Sequence, residues 1–243
     1  MSQKFAVFDI DGTLFRSGLY REVFYELSKM GVLPDNLTEQ TTEKFRIWRH
    51  RLHGNAFEEF DKMVFDGLDS FITQLRICDY DEAVQRVLDK KAANIYVYTH
   101  KLLKKLQSEG YFTIAISGSQ EELVEPFARN NDFDAWVGQK WERGGEFFTG
   151  NIVKTHTGKD KIIAALVDKY DLTYTDSYAV GDSNGDAGML AVVEHPIAFN
   201  PNQELLEKAL ANGWKIVVER KNVSYELESK QDGLFVLEKT NQH

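Results

Sequence analysis

The chain has 243 residues, 42% of them hydrophobic, and a formal net charge of −9 at pH 7, enough for one α/β core with a modest insertion. That acidic balance argues against nucleic acid or an anionic membrane as the main partner. Cys78 is the sole cysteine, no apolar run reaches the roughly 18 residues of a membrane span, and the N-terminus lacks a signal-peptide pattern, so a soluble cytoplasmic protein without disulfides is expected.

The first predicted element is a buried strand at about 4–9, carried by Phe5-Ala6-Val7-Phe8, which runs into Asp9-Ile10-Asp11-Gly12-Thr13. Side chains at i and i+2 of a strand share a face, so Asp9 and Asp11 converge beyond its C-terminal end, where ligands of open α/β sheets bind. Gly12 allows a sharp turn and close approach of backbone to ligand, and Thr13 is expected to hydrogen-bond back to the loop. Two carboxylates so placed can divide the work of nucleophile and proton donor. The plain alternative is an Asp-Gly turn after a strand.

From Leu19 to about Val97 the pattern is helical throughout, with apolar spacing over about 19–30, 38–52, 57–75 and 81–88. This block reads as a cap inserted in the core, with boundaries of 16–97 for the cap and of 1–15 and 98–243 for the core. Its most basic run is Arg46-Ile47-Trp48-Arg49-His50-Arg51-Leu52-His53. Arg46, Arg49, His50 and His53 fall on one helical face, which reads first as a solvated surface balancing an acidic protein. Alternatively that face meets a second anionic group of a substrate, with Trp48 beside it for packing. Phe15, Tyr20 and Phe24 read as core packing.

Beyond the cap, strands are expected at about 111–117, 177–181, 196–199 and 214–219, alternating with helices at about 101–109, 120–130, 159–170, 186–193 and 202–211. That alternation defines an α/β, doubly wound, mainly parallel sheet. Ser117-Gly118-Ser119 closes the second strand at a helix start, where a hydroxyl and free N–H groups form an anion site; Ser119 reads as the helix N-cap. Lys159 opens a helix, an unfavourable place for a cation unless it meets an anion. It is preferred over Lys161 because it follows Gly158. His156 reads as a surface or core histidine rather than a substrate contact. After the third strand, Asp182-Ser183-Asn184-Gly185-Asp186 supplies two more carboxylates, hard oxygen ligands suited to Mg²⁺. The segments Val223-Ser224-Tyr225-Glu226-Leu227 and Leu234-Phe235-Val236-Leu237, around Gln231-Asp232-Gly233, suggest a terminal hairpin.

Taken in order, Asp9-Ile10-Asp11-Gly12-Thr13, Ser117, Lys159, and Gly181-Asp182 with Asp186 resemble the four motifs of the haloacid dehalogenase superfamily over about residues 4–200. The spacing of roughly 100 residues between the first two motifs is similar to the phosphoserine phosphatase-like subfamily, and 141–152 looks like its small β-hairpin. The resemblance implies a Rossmannoid core with an inserted helical cap. It further implies that Asp9 is the nucleophile, forming an aspartyl-phosphate, and Asp11 the general acid and then base. Ser117, Gly118 and Lys159 would hold the phosphoryl group, and Mg²⁺ would be bound by Asp9, the backbone carbonyl of Asp11, Asp182 and Asp186. The second aspartate favours phosphate over carbon–halogen substrates.

One departure bears on substrate. Phosphoserine phosphatases carry a glutamate seven residues past the second aspartate, where this chain has Gly18; Glu22 lies one turn on, and Arg16 gives a basic entrance instead. The expected activity is Mg²⁺-dependent hydrolysis of a small phosphorylated metabolite, by a monomer or weak dimer, with Arg16, Arg46 and Arg49 as candidate substrate contacts. Phosphotransfer through the same intermediate, or a receiver-like module that binds phosphate and Mg²⁺ without turnover, are the alternatives.

Overall fold

A computed structural model of the protein describes residues 2–91, 93–155, 158–230 and 234–243. In chain order, β1 (Gln3–Phe8) leads to four helices, α1 (Leu19–Lys29), α2 (Asp35–Arg49), α3 (Ala56–Phe71) and α4 (Ile77–Lys91). Then come α5 (Val97–Ser108), β2 (Phe112–Gln120), α6 (Glu121–Asn130), β3 (Ala135–Gly144), β4 (Phe147–Val153) and α7 (Lys159–Tyr170). The chain closes with β5 (Leu172–Gly181), α8 (Ala187–Ala191), β6 (His195–Phe199), α9 (Gln203–Asn212), β7 (Lys215–Arg220), β8 (Val223–Ser229) and β9 (Phe235–Gln242).

These elements form two compact units, one of 1–16, 94–139 and 154–243, the other of 17–93 and 140–153. The segment 140–153 therefore clusters with the helices, whereas the sequence reading placed it in the core.

The first unit is the expected α/β core, its strands ordered β3-β2-β1-β5-β6-β7-β8-β9. Neighbours from β3 to β7 run parallel, and β8 and β9 are added antiparallel. Phe5, Ala6, Val7 and Phe8 are all fully buried, as a central strand covered on both faces requires. Phe5 and Val7 pack with Ile163 and Val167 of α7 and Leu205 of α9; Ala6 and Phe8 alternate to the other face. The parallel registers Phe8↔Ala115 and Phe8↔Val180 bring the ends of β1, β2 and β5 level, which sets the three motif loops side by side. The terminal pair β8 and β9 forms as expected, but its turn, Gln231-Asp232-Gly233, lies outside the described residues, as does His156.

One boundary differs from expectation for a local reason. The strand expected at 177–181 begins at Leu172, because Asp176 takes a left-handed φ of 57° that interrupts the pairing and hides the earlier half from a periodicity reading. Asp176 accepts from Lys4 Nζ at 2.6 Å, Tyr111 hydroxyl at 2.7 Å and His195 Nε2 at 2.8 Å. Those hydrogen bonds, Lys4 first, then Tyr111 and His195, hold its pKa below the usual carboxylate value. A carboxylate so depressed contributes stability that is present above the unfolded-state pKa and lost as pH falls through the folded one. Asp176→Asn keeps the left-handed backbone, and is expected to lower urea-unfolding stability at pH 7 by a few tenths to about 1 kcal/mol, since water screens this half-exposed site. The difference from wild type should shrink on acidification below about pH 4; a gap constant with pH would assign the effect to shape rather than charge.

The second unit is helical with one hairpin. Trp48 of α2 stacks on Phe60 of α3 at 5.2 Å between ring centres and contacts Phe45 and Phe57, so it serves the unit's own core. Tyr20 and Arg21 of α1 both donate to Asp61 of α3. The hairpin of β3 and β4 seats Trp141 and Phe148 against Tyr80 of α4, and Arg143 grips Asp81 through two bonds of 2.9 and 2.7 Å. Tyr20 and Phe24 are buried, as is Phe15 in the core unit, all three as read.

Candidate active site

The site sits where the ends of β1, β2 and β5 meet, and each loop there is shaped by a local necessity. After β1 the Ile10 carbonyl accepts from the N–H groups of Thr13, Leu14 and Phe15, closing a tight turn that holds Asp9 and Asp11 at the strand end. Gly12 has φ 84°, and a Cβ there would lie 1.9 Å from Asp182 Oδ2. Any larger residue would both strain the backbone and fill the place taken by that carboxylate. A Cβ on Gly181 would likewise meet Asp186, at 2.4 Å from its Cβ.

Asp9 is 5% exposed and anchored by its N–H to the Val180 carbonyl at 2.9 Å. Lys159, the first residue of α7, extends a buried ammonium to Asp9 Oδ1 and Asp186 Oδ1, both at 2.6 Å, and to the Ile116 carbonyl at 3.1 Å. Lys161 is exposed. Three acceptors engage the three N–H donors of the ammonium, so here Lys159 holds two carboxylates together. Asp186 is fixed in turn, its Oδ2 accepting from Asp182 N–H, Ser183 N–H and Ser183 hydroxyl.

Burial, reinforced by the charges of Asp186 and Asp11 and opposed by Lys159, raises the Asp9 pKa well above the carboxylate range. For Lys159 burial acts against the charge, but Asp186 and Asp9 outweigh it and raise its pKa. The directions are compatible: one ammonium shared by two carboxylates stays charged, while Asp9, deeply buried and competing with Asp186 for it, is penalised as an anion. Such a cluster has room for more positive charge.

Asp9, Asp182 and Asp186 each offer an oxygen within 4.8 Å of the others. The buried Asp9 Oδ2 has no hydrogen-bond partner, and a buried carboxylate oxygen left so is costly unless a ligand completes it. Three hard oxygens with one orphaned atom suit a hard divalent cation. The Asp11 carboxylate is outside this trio: its Oδ2 accepts from the hydroxyls of Ser117 and, at 2.8 Å, Ser119.

Other expected residues have local partners or surroundings of their own. Thr13 does not hydrogen-bond back to the loop through its side chain, for its Oγ1 is buried without a partner and only its backbone takes part, its carbonyl accepting from Thr99 hydroxyl at 2.8 Å. Arg16 turns to Glu219 at 2.8 Å and lies over the Tyr96 ring, while Glu219 also receives the Val97 and Tyr98 N–H groups that open α5. Arg16 therefore braces α5 against β7. Arg46 is exposed and paired through two bonds with Glu43, and Arg49 is exposed on the same helix. Gly118 lies on β2 between the two serines.

Two buried residues at the site were not read as functional. Thr155 donates to the Ser117 carbonyl, and Ser119, expected as a helix cap, is on β2, which runs on to Gln120. The i, i+2 spacing that pairs Asp9 with Asp11 equally pairs Ser117 with Ser119, and was the available signal.

A family model for haloacid dehalogenase-like hydrolases matches residues 6–191, and the chain belongs to that family. It is similar to a histidinol-phosphatase of Neisseria meningitidis, 25% identical over 87% of this chain and 97% of that protein. It is also 28% identical to a phosphoserine phosphatase of Mycobacterium tuberculosis, over 56% of this chain but only 43% of that one. A solved phosphoserine phosphatase with a phospho-aspartyl intermediate analogue shares the fold, with a TM-score of 0.63 at 20% identity over 91% of this chain and 95% of that chain. Among the described residues no helix is long and apolar enough to cross a membrane.

Proposed function

We propose that the protein is a Mg²⁺-dependent phosphatase that hydrolyses a small phosphomonoester through an aspartyl-phosphate on Asp9. The observation that carries this reading is the buried Asp9 carboxylate, with one oxygen held by Lys159 and the other unpartnered beside Asp182 and Asp186. Asp9, Asp182 and Asp186, with the backbone carbonyl of Asp11, would hold Mg²⁺, which when bound supplies charge to steady the nucleophile and the phosphoryl oxygens. Lys159 adds fixed positive charge beside Asp9. The Ser117 hydroxyl and Gly118 backbone contact the phosphoryl group at the end of β2. In the first half-reaction the bond from Asp9 to phosphorus forms as the bond to the alcohol oxygen breaks, and that oxygen takes a proton from Asp11. In the second, water attacks phosphorus, yields its proton to Asp11 and frees Asp9.

For substrate, phosphorylated amino alcohols come first. The similarity to a histidinol-phosphatase runs along nearly all of that relative, whereas Gly18, standing where phosphoserine phosphatases place a glutamate, disfavours phosphoserine. The test is phosphate release from a panel of metabolite esters, histidinol phosphate and phosphoserine included, with Mg²⁺ and with EDTA. Release confined to a small group and lost in EDTA is expected. Silence throughout, or acceptor-dependent loss of the ester without free phosphate, would replace hydrolysis by binding or phosphotransfer.

A further inference from the structure

We infer that Ser119 is a positioning residue for Asp11, taking over its carboxylate when Ser117 engages the phosphoryl group; this rests on the phosphatase reading above. Ser119 is fully buried at the end of β2, and its hydroxyl donates to Asp11 Oδ2 at 2.8 Å. Its backbone N–H donates to Ser117 Oγ at 2.9 Å, and the Ser117 hydroxyl donates to the same Asp11 oxygen. Residues i and i+2 of an extended strand share a face, so both hydroxyls reach one carboxylate.

A hydroxyl has one proton to donate. Ser117 cannot give it both to Asp11 and to a phosphoryl oxygen. When an ester binds, the Ser117 proton turns to phosphate, its oxygen still fixed by the Ser119 N–H, and the Ser119 hydroxyl remains on Asp11. That bond keeps a hydroxyl on Asp11 at the step where the carboxyl must lie within reach of the leaving oxygen, and loss of aim by an acid is costly in rate. One residue thus keeps the phosphate ligand and the proton donor in register, the first through its backbone and the second through its side chain.

The leaving group separates this role from a merely structural one. Nitrophenolate departs without a proton, phenolate benefits from one, and an alkoxide needs one. For wild type, Ser119→Ala and Ser119→Thr with Mg²⁺, kcat/KM would be measured on 4-nitrophenyl, phenyl and benzyl phosphate, together with inhibition by inorganic phosphate. The Ala variant keeps the N–H that holds Ser117, so phosphate inhibition should stay within about twofold and 4-nitrophenyl phosphate within about threefold of wild type. Benzyl phosphate should fall roughly 10- to 100-fold, with phenyl phosphate between, and Thr should restore most of the loss. Ser119→Cys, of similar volume and a weaker donor, gives the same reading should the Ala variant not fold. An equal fall on all three esters, or weakened phosphate inhibition in parallel, would overturn the assignment. Inactivity of the wild type on every ester would instead overturn the phosphatase reading on which it rests.

Discussion

Asp9→Asn is expected to lower kcat by about 10⁴-fold or more while leaving the melting temperature at or slightly above that of wild type. The loss follows from chemistry, since an amide oxygen is not a nucleophile that can form and release an acyl phosphate, and removal of a nucleophile commonly costs that much or more. The retained stability follows from the site's electrostatics. Asp9 is buried, and burial together with Asp186 and Asp11 disfavours its ionised form. A neutral isostere removes that penalty, and its carbonyl oxygen can still accept from Lys159, which keeps Asp186 as counterion. Natural active sites often give up stability in this way. Turnover of the best ester and calorimetry in EDTA check the two halves separately. Activity within tenfold of wild type would remove Asp9 from the nucleophile role; a melting point lower by many degrees would make its charge structural.

Much of this was legible in the sequence, for identifiable reasons. Phe5-Ala6-Val7-Phe8 and Thr113-Ile114-Ala115-Ile116 lie in strands buried on both faces, and near-continuous apolar runs ending in Asp or Ser-Gly mark both the element and its functional end. Lys159 could be singled out because a cation at a helix start needs a counter-anion, which Asp9 and Asp186 supply. What stayed hidden depends on contacts between residues far apart in the chain. The pairing of Arg16 with Glu219 spans 203 positions and that of Asp11 with Ser119 spans 108, so neither leaves a periodic trace. Nor could composition show that Trp48 is enclosed by Phe45, Phe57 and Phe60. The hairpin at 141–152 was recognised, but its grouping with the helical unit is set by Tyr80 and Asp81, whose helix gives no sign of a partner.

Lys159→Met should be the most damaging single change to stability in the core unit, by about 3–5 kcal/mol in urea denaturation with EDTA present. The substitution nearly preserves volume, so the loss is not a cavity effect. It arises because the side chain is buried, its ammonium makes three bonds, and two of the acceptors are carboxylates almost wholly removed from water. Taking away the cation leaves Asp9 and Asp186 facing each other across a site that cannot solvate them. Lys159→Arg is expected to recover little, since a planar fork cannot replace a compact ammonium among three converging acceptors in a packed interior. Excess Mg²⁺ should recover part of the loss: without the ammonium, Asp9, Asp182 and Asp186 hold a cation more tightly than in wild type, and tighter binding to the folded state stabilises the variant more by mass action. The informative quantity is therefore the difference between the variant's loss in EDTA and its loss in Mg²⁺. A loss below about 1 kcal/mol in EDTA would mean that protonation of the carboxylates, rather than Lys159, keeps the cluster folded, whereas an equal loss with and without Mg²⁺ would place the metal away from these three carboxylates.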